Sequence, residues 1–405
     1  MTVFQARVTP RPASDQSHRR PGAAIGRFYT LREHNCPIAP RVQALAAGTA
    51  ALLVAFLAAV AVPTAPAQRR PGVDPTARLT VRQLIGQRMI YSYLGTVPPA
   101  ALRARIARGE AAGVIVFRHN IASRASLAAT VASLQAIRRP PGLRAPLLVM
   151  IDQEGGLVKR LSGAPTRSPA ALGRIGSTDL ARSEGRATAR NLRSVGVNVN
   201  LAPVVDVGRP GSYQQQTGRS YSSNPGRVSA LASGFVRGLQ AGGVAATLKH
   251  FPGLGTVRQD EDVIVQRVSL PLDVLRRTEE APFAAGIRAG VALVMMSTAV
   301  YPALSSRPAM LSPAVSTGEL RGRLGFRGVS ITDDITVRGM ARFGSPPRLG
   351  ILAAQAGNDL LLYAGGYTSA AQSADTLLRE ASAGRISIPA TRGSVRRVLA
   401  LRASL

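Results

Sequence analysis

Four short stretches hold most of the side chains that could do acid–base or nucleophilic chemistry. They are Asp152-Gln153-Glu154-Gly155-Gly156, NLAPVVDV at 200–207, LKHFPGLG at 248–255 and SITDD at 330–334. Each begins, ends or follows an apolar run. Asp152 comes directly after Leu147–Ile151, Lys249 and His250 lie at the end of Val244–His250, and the Asp333-Asp334 pair follows Val329–Thr332. Burying such groups without partners is costly. Gathered in one place, they make either a ring of structural salt bridges or a site where carboxylates and cations face a substrate. A fifth stretch, Asp260-Glu261-Asp262, sets three acids in a row. Mutual repulsion raises at least one pKa in such a run, and a carboxyl so raised is a workable proton donor. The other reading of the run is a solvated acidic loop. His119, just past Gly113–Phe117, is either a further proton donor or a hydrogen-bonded structural residue. The acids and histidines lack ligand spacing such as HExxH, so no metal and no cofactor are expected.

The elements that must hold these groups alternate strand and helix from Leu79 onward. Apolar strand-like runs occur at Gly113–Phe117, Leu147–Ile151, Val197–Val207, Val244–His250, Ala292–Met296, Val329–Thr332 and Asp359–Tyr363, with an eighth near Met89–Tyr93. Amphipathic stretches at Leu180–Val195, Val228–Ala241 and Pro271–Ala289 lie between them. Near-continuous apolar strands imply burial on both faces, as in a parallel sheet. The count predicts an α/β fold, a TIM-type (β/α)8 barrel, in which strand C-terminal ends meet at one mouth. A doubly wound open sheet is the runner-up, but the first strand is not followed by a Gly-rich dinucleotide turn.

Composition narrows the function classes. The 405 residues carry 51 Lys+Arg against 21 Asp+Glu, a formal net charge of +30. Lys159 and Lys249 are the two lysines, so the excess is arginine, scattered along the chain with no run of five or six. Aromatics are 4% and Trp is absent. Nucleic-acid proteins concentrate charge on one face or arm, so no nucleic-acid partner is expected. A salt-sensitive pull toward polyanions such as cell-wall polymers is. One cysteine, Cys36, excludes a disulfide framework. Residues 1–43 read as a basic, disordered lead. Residues 44–67 read as the core and exit of an export signal: Ala44 to Val62 are uncharged, and Ala65 and Ala67 fit a small-x-small cleavage pattern. Nineteen apolar residues also reach about 28 Å, enough for an uncleaved membrane anchor through 44–62. Residues 68–76 read as a tether, and 77–405 as a single barrel. The protein is therefore expected to be exported, either secreted or held at the outer face of the membrane or cell wall.

From about Leu79 to Leu405 the chain resembles glycoside hydrolase family 3, in the single-barrel form of the bacterial β-N-acetylglucosaminidases. The shared elements occur in family order: GEAAGVIVFRHNI at 109–121, LLVMIDQEGGLVKRL at 147–161, NLAPVVDV, GRSYSSNP at 218–225, LKHFPGLG, PAMLSPAV at 308–315 and LGFRGVSITDDITVRGM at 324–340. The resemblance implies a carbohydrate substrate and a retaining mechanism. It makes Asp333 the nucleophile, Asp152 an acceptor for sugar hydroxyls, and Arg160, Arg219, Lys249 and His250 the lining of the same subsite. The chemistry is self-consistent: a carboxylate attacks the anomeric carbon through an oxocarbenium-like state, and nearby cations keep it ionised.

The pattern breaks at the proton-transfer loop. The family's acetylglucosaminidases carry Asp-Ser-His there, with the histidine as acid/base. Here Asp260 matches the aspartate, and Asp262 stands where the histidine would be. Leu254 replaces the histidine of Gly-His-Gly, and Thr298 replaces another before the Tyr-Pro pair. The resemblance thus implies a glycosidase for terminal β-linked N-acetylglucosamine of peptidoglycan- or chitin-derived glycans, with Asp333, Asp262 and Asp260 as its catalytic residues. A catalytically weak or inactive glycan-binding barrel, and a β-glucosidase or β-xylosidase specificity, are the alternatives.

Overall fold

The structure, a computed structural model, describes residues 74–405. The basic lead, the apolar segment 44–67 and most of the tether lie outside the described residues. Eight parallel strands run in chain order: β1 Met89–Tyr91, β2 Gly113–Val116, β3 Leu148–Ile151, β4 Val199–Asn200, β5 Ala245–Phe251, β6 Leu293–Met296, β7 Val329–Thr332 and β8 Leu361–Leu362. Each pairs with the next from β1 to β7, and β8 pairs with β1. A parallel bridge between Ile331 and Leu360 joins β7 to β8 and closes the ring. The expected (β/α)8 barrel is therefore what forms.

Side chains on a strand alternate between faces, and here both faces are dry. Ile90, Ile115, Leu148, Met150, Leu293, Met295, Val329 and Ile331 form one buried cluster. Their strand neighbours Tyr91, Val114, Val116, Val149, Ile151, Val294 and Met296 belong to the other, larger cluster that the outer helices complete. Two-sided burial is why the strands read as unbroken apolar runs. The last helix, Ile388–Ala403, adds Val398 and Leu401 to the first cluster. Its Arg402 donates to the carbonyls of Leu143, Ala145 and Pro146, just ahead of β3. This helix therefore covers the end of the ring opposite the mouth.

The helices follow local rules. Ser177 caps Thr178–Arg193 by accepting from the Leu180 N–H, satisfying an orphan donor of the first turn. That helix packs closely on Pro225–Ala241 because Gly185 and Gly238 lie at the crossing. A Cβ on Gly238 would come 1.9 Å from the Arg182 carbonyl. The expected helix Pro271–Ala289 is instead two, Leu272–Thr278 and Ala281–Arg288. Pro282 opens the second of these; proline lacks the N–H a continuing helix needs. The expected strand Val197–Val207 pairs only at Val199–Asn200, with a single further bridge from Val204 to Lys249. The rest of that run is irregular and, apart from the part-exposed Asn198, buried.

Candidate active site

The DQEGG stretch folds into a small hairpin directly after β3, pairing Gln153–Gly155 with Val158–Lys159. Gly155 and Gly156 have φ of 102° and 65°, a region that side chains disfavour. The buried Gln153 amide ties the hairpin. It donates to the carbonyls of Leu161 (2.7 Å) and Ala164 (2.9 Å) and accepts from the N–H groups of Arg160 and Leu161. Asn200, at the end of β4, exchanges hydrogen bonds with the Gln153 backbone. The hairpin thereby carries Asp152, Glu154 and Arg160 to one side of the mouth. Lys249 and His250 lie in β5, and Asp333 follows β7. Arg219 enters from the turn after the short helix Tyr213–Gln216, where its N–H and that of Ser220 share the Gln214 carbonyl.

These side chains converge. Asp152, Arg160, Arg219, Lys249, His250, Asp260, Asp262 and Asp333 all line one cavity of about 290 Å³ at the C-terminal ends of the strands. Ile115, Leu201, Met295 and Leu362 form its apolar floor. Seven carboxylates line it beside Arg160, Arg219, Lys249 and His250, so the cavity is rich in acid although the chain is strongly basic.

A fixed ion network occupies one wall. Glu154, its side chain fully buried, accepts from Arg219 Nε and Nη2, each at 2.9 Å, and from Lys249 Nζ at 2.7 Å. Lys249 also donates to Asp152 Oδ1 at 2.7 Å. Arg160 Nη2 lies 3.7 Å from Asp152 Oδ2. Burial alone would raise Glu154, but Arg219 and Lys249 outweigh it and hold the carboxyl well below the usual range. Burial likewise disfavours charged Lys249, and Asp152 and Glu154 reverse that, leaving it above its ordinary value. Asp152 thus keeps one oxygen beside Lys249 while the other faces Arg160.

The opposite wall is built from His250, Asp333 and the acidic loop. Asp206 accepts from His250 Nδ1 at 2.8 Å and from the N–H groups of His250 (3.2 Å) and Leu254 (2.8 Å). Burial would lower His250, but Asp206, then Glu261 and Asp333, leave it above its usual value. With Nδ1 engaged, Nε2 faces Glu261 Oε1 at 3.9 Å. Asp333 is half-buried, and its Oδ1 accepts from the Asp334 N–H at 2.8 Å. Asp334 is spent locally: its Oδ1 accepts from Thr336 N and Oγ1 and from Ala364 N. One ligand atom each of His250, Glu261 and Asp333 lie within 4.8 Å of one another. Among the described residues this is the one such trio, close enough for a cation to bridge.

The loop after β5 is folded over the mouth. Asp260 Oδ2 accepts from the Tyr213 hydroxyl at 2.8 Å, and its Oδ1 from the Asp262 N–H at 3.1 Å. The Gly339 N–H donates to the Asp262 carbonyl at 3.0 Å. Glu261 is buried at 3% exposure, whereas Asp262 is exposed. Burial pushes Glu261 up to about 7, with Asp333 adding to it against His250 and Arg219. Asp262 is also pushed up, by partial loss of water and then by Asp333, Glu261, Asp260 and Asp334.

All eight expected site residues are therefore brought together. His119 is not among the lining residues; its Nε2 lies 3.1 Å from the Tyr93 carbonyl. Glu154, Asp206 and Glu261 lay inside the stretches that the sequence marked but were given no individual role. Glu261 had a visible signal as the centre of the three-acid run, and Glu154 stands two residues from Asp152.

A carboxylate at the mouth of a parallel barrel, flanked by cations and by a second carboxyl poised to be protonated, is the equipment of a sugar-cleaving enzyme. The comparisons agree. The glycosyl hydrolase family 3 N-terminal domain matches residues 78–401. An uncharacterized secreted glycosyl hydrolase of Arthroderma benhamiae is 36% identical over 339 residues, 82% of this chain and 96% of that one. A beta-hexosaminidase of Stenotrophomonas maltophilia is 37% identical over 282 residues, 68% of this chain and 82% of the relative. The family 3 β-N-acetylglucosaminidase structure from a Paenibacillus species has a TM-score of 0.76 at 36% identity, covering 80% of this chain and 63% of that chain. A β-N-acetylhexosaminidase structure from Beutenbergia cavernae gives 0.74 at 30% identity, covering 80% and 99%. The chain belongs to glycoside hydrolase family 3.

Proposed function

We propose that this glycoside hydrolase removes terminal β-linked N-acetylglucosamine from peptidoglycan- or chitin-derived glycans, through a covalent glycosyl-enzyme on Asp333. The observation that carries the reading is the convergence of Asp333, Asp152, Arg160, Arg219, Lys249 and His250 on one cavity of about 290 Å³. That volume is at the small end for ligand pockets and favours one terminal sugar residue over an internal stretch of chain. The printed names of the relatives supply the sugar. In the first step an Asp333 oxygen bonds to the anomeric carbon while the glycosidic oxygen leaves with its electron pair and takes up a proton. In the second, water attacks that carbon, gives up a proton, and frees the Asp333 carboxylate. Asp152, held by Lys249, accepts from sugar hydroxyls, and Arg160 and Arg219 donate to sugar oxygens. The 260–262 loop is the source of the proton, with Asp262 at the family's histidine position and Asp260 tied to Tyr213. The secreted relative and the apolar segment 44–62 together support a site of action outside the cytoplasm, with the basic surface drawn to anionic wall polymers.

A second reading, a slow or inactive glycan-binding barrel, draws on one observation: no histidine stands at the loop position. The test is turnover of an aryl N-acetyl-β-glucosaminide by the wild type and by Asp333→Ala. Turnover abolished in the variant supports the enzyme; equal rates overturn it. Saturable glycan binding without turnover supports the second reading.

A further inference from the structure

We infer that Glu261 is the general acid/base of this active site, acting opposite Asp333. The inference rests on the glycosidase reading above and deepens it. Retaining glycosidases hold their two carboxyl groups about 5–5.5 Å apart. Here a Glu261 oxygen and an Asp333 oxygen lie within 4.8 Å of each other. Glu261 lines the cavity, and its Oε2 is buried without a hydrogen-bond partner among the described residues. A buried, unbonded carboxyl oxygen is costly to keep, and a substrate oxygen brought into the cavity would satisfy it. Its two neighbours are less suited. Asp260 is committed to Tyr213 and to the loop backbone. Asp262 retains contact with solvent, and the loop is anchored through its carbonyl rather than its carboxylate.

Asp333 forms its bond to the anomeric carbon as the glycosidic C–O bond breaks. The electron pair leaves on the oxygen, and the Glu261 proton goes to that oxygen to complete the alcohol. Glu261, now a carboxylate, takes a proton from the incoming water as the Asp333–carbon bond opens.

The groups facing Glu261 are His250 from β5, Asp333 after β7, Arg219 and Tyr213 from the segment after β4, Tyr301 after β6, and Asp262 on its own loop. Burial sets its proton affinity near neutrality, where a general acid works best. Activity then falls as pH rises through about 7, as Glu261 loses its proton.

The test compares wild type, Glu261→Gln and Asp262→Asn on N-acetyl-β-glucosaminides with a nitrophenyl and with an alkyl leaving group. Glu261→Gln is expected to lower kcat/KM on the alkyl substrate by roughly 10²–10⁴-fold, with a loss on the nitrophenyl substrate of at most about tenfold. Added azide, which needs no base, restores nitrophenyl turnover as glycosyl azide. The alkaline fall of the wild-type pH profile disappears in this variant. Asp262→Asn changes the two substrates in parallel. If Asp262→Asn gives the leaving-group split and azide rescue while Glu261→Gln does not, the assignment to Glu261 is overturned and the glycosidase reading stands. If the wild type is inactive, or Asp333→Ala matches it, both fall together.

Discussion

Replacing Glu154 by glutamine isolates the ion network that holds the cationic wall of the cavity. The glutamine keeps the shape but removes the charge and one of the two acceptor oxygens. Arg219 loses half of its bidentate partner, bonded at 2.9 Å through both nitrogens. Lys249 keeps Asp152 at 2.7 Å. Breaking a buried ion pair by removing one partner costs about 3–5 kcal/mol. The surviving Lys249–Asp152 bond argues for the lower end, about 3 kcal/mol. An unfolding entropy of about 2.1 cal/mol/K per residue gives a barrel of this length roughly 1.4 °C per kcal/mol, so Tm falls by about 4 °C. Thermal unfolding followed by far-UV circular dichroism, with urea denaturation for the energy, reads this directly. The pH dependence has a definite sign. A carboxyl whose folded pKa lies below its ordinary 4.5 stabilises fully above that value. Its contribution is lost as pH falls through the folded value, so the gap between wild type and variant closes in strong acid. The double variant with Arg219→Gln should lose less than the sum of the singles by about 1 kcal/mol or more. A Tm within about 2 °C of wild type, together with an additive cycle, would refute the claim that Glu154 organises this wall.

Three further outcomes follow from the same contacts. Asp206→Asn weakens the hold on His250 Nδ1 and lowers its pKa. Because the folded His250 pKa is raised, its stabilising effect is complete below 6.5 and fades as pH climbs through the folded value; Tm against pH should show the wild-type advantage narrowing on the alkaline side, and a constant gap would contradict it. Gly339→Ala sets a Cβ 2.8 Å from the Glu261 carbonyl and displaces the acidic loop, so kcat should fall on the order of 10- to 100-fold; an unchanged kcat in a folded variant would count against the loop's role. Arg402→Met strips donors from the buried carbonyls of Leu143, Ala145 and Pro146. It should cost at least about 3 kcal/mol by urea denaturation, and an unmoved midpoint would show that the last helix does not seal the ring.

The barrel was legible because two-sided burial leaves an unmistakable trace: runs such as Leu147–Ile151 and Ala292–Met296 carry no polar alternation. That trace reports burial, not pairing. Val197–Val207 is buried except at Asn198, yet beyond Val199–Asn200 it keeps a single bridge, because the chain after Asn200 turns to set Asp206 under His250. Pro282 opens a second helix there, yet it lies within an amphipathic period that suggested continuity. At the site, strand ends identified Asp152, Lys249 and Asp333 by position. What position could not reveal was which members of an acidic cluster face inward. Glu154 depends on a hairpin turning at Gly155-Gly156, and Glu261 depends on where Tyr213 and Gly339 pin its loop. Those contacts are set by tertiary packing and leave no local periodicity.

The most direct test of the central claim is to trap the intermediate. The enzyme would be incubated with an activated fluoro-sugar of the N-acetyl-β-glucosamine series, one that transfers its glycosyl group quickly and releases it slowly, and then digested for peptide mass spectrometry. The account predicts a single glycosyl adduct on the peptide containing Asp333, absent in Asp333→Ala. An adduct on another residue, or steady turnover of the sugar with no adduct on Asp333, would contradict it.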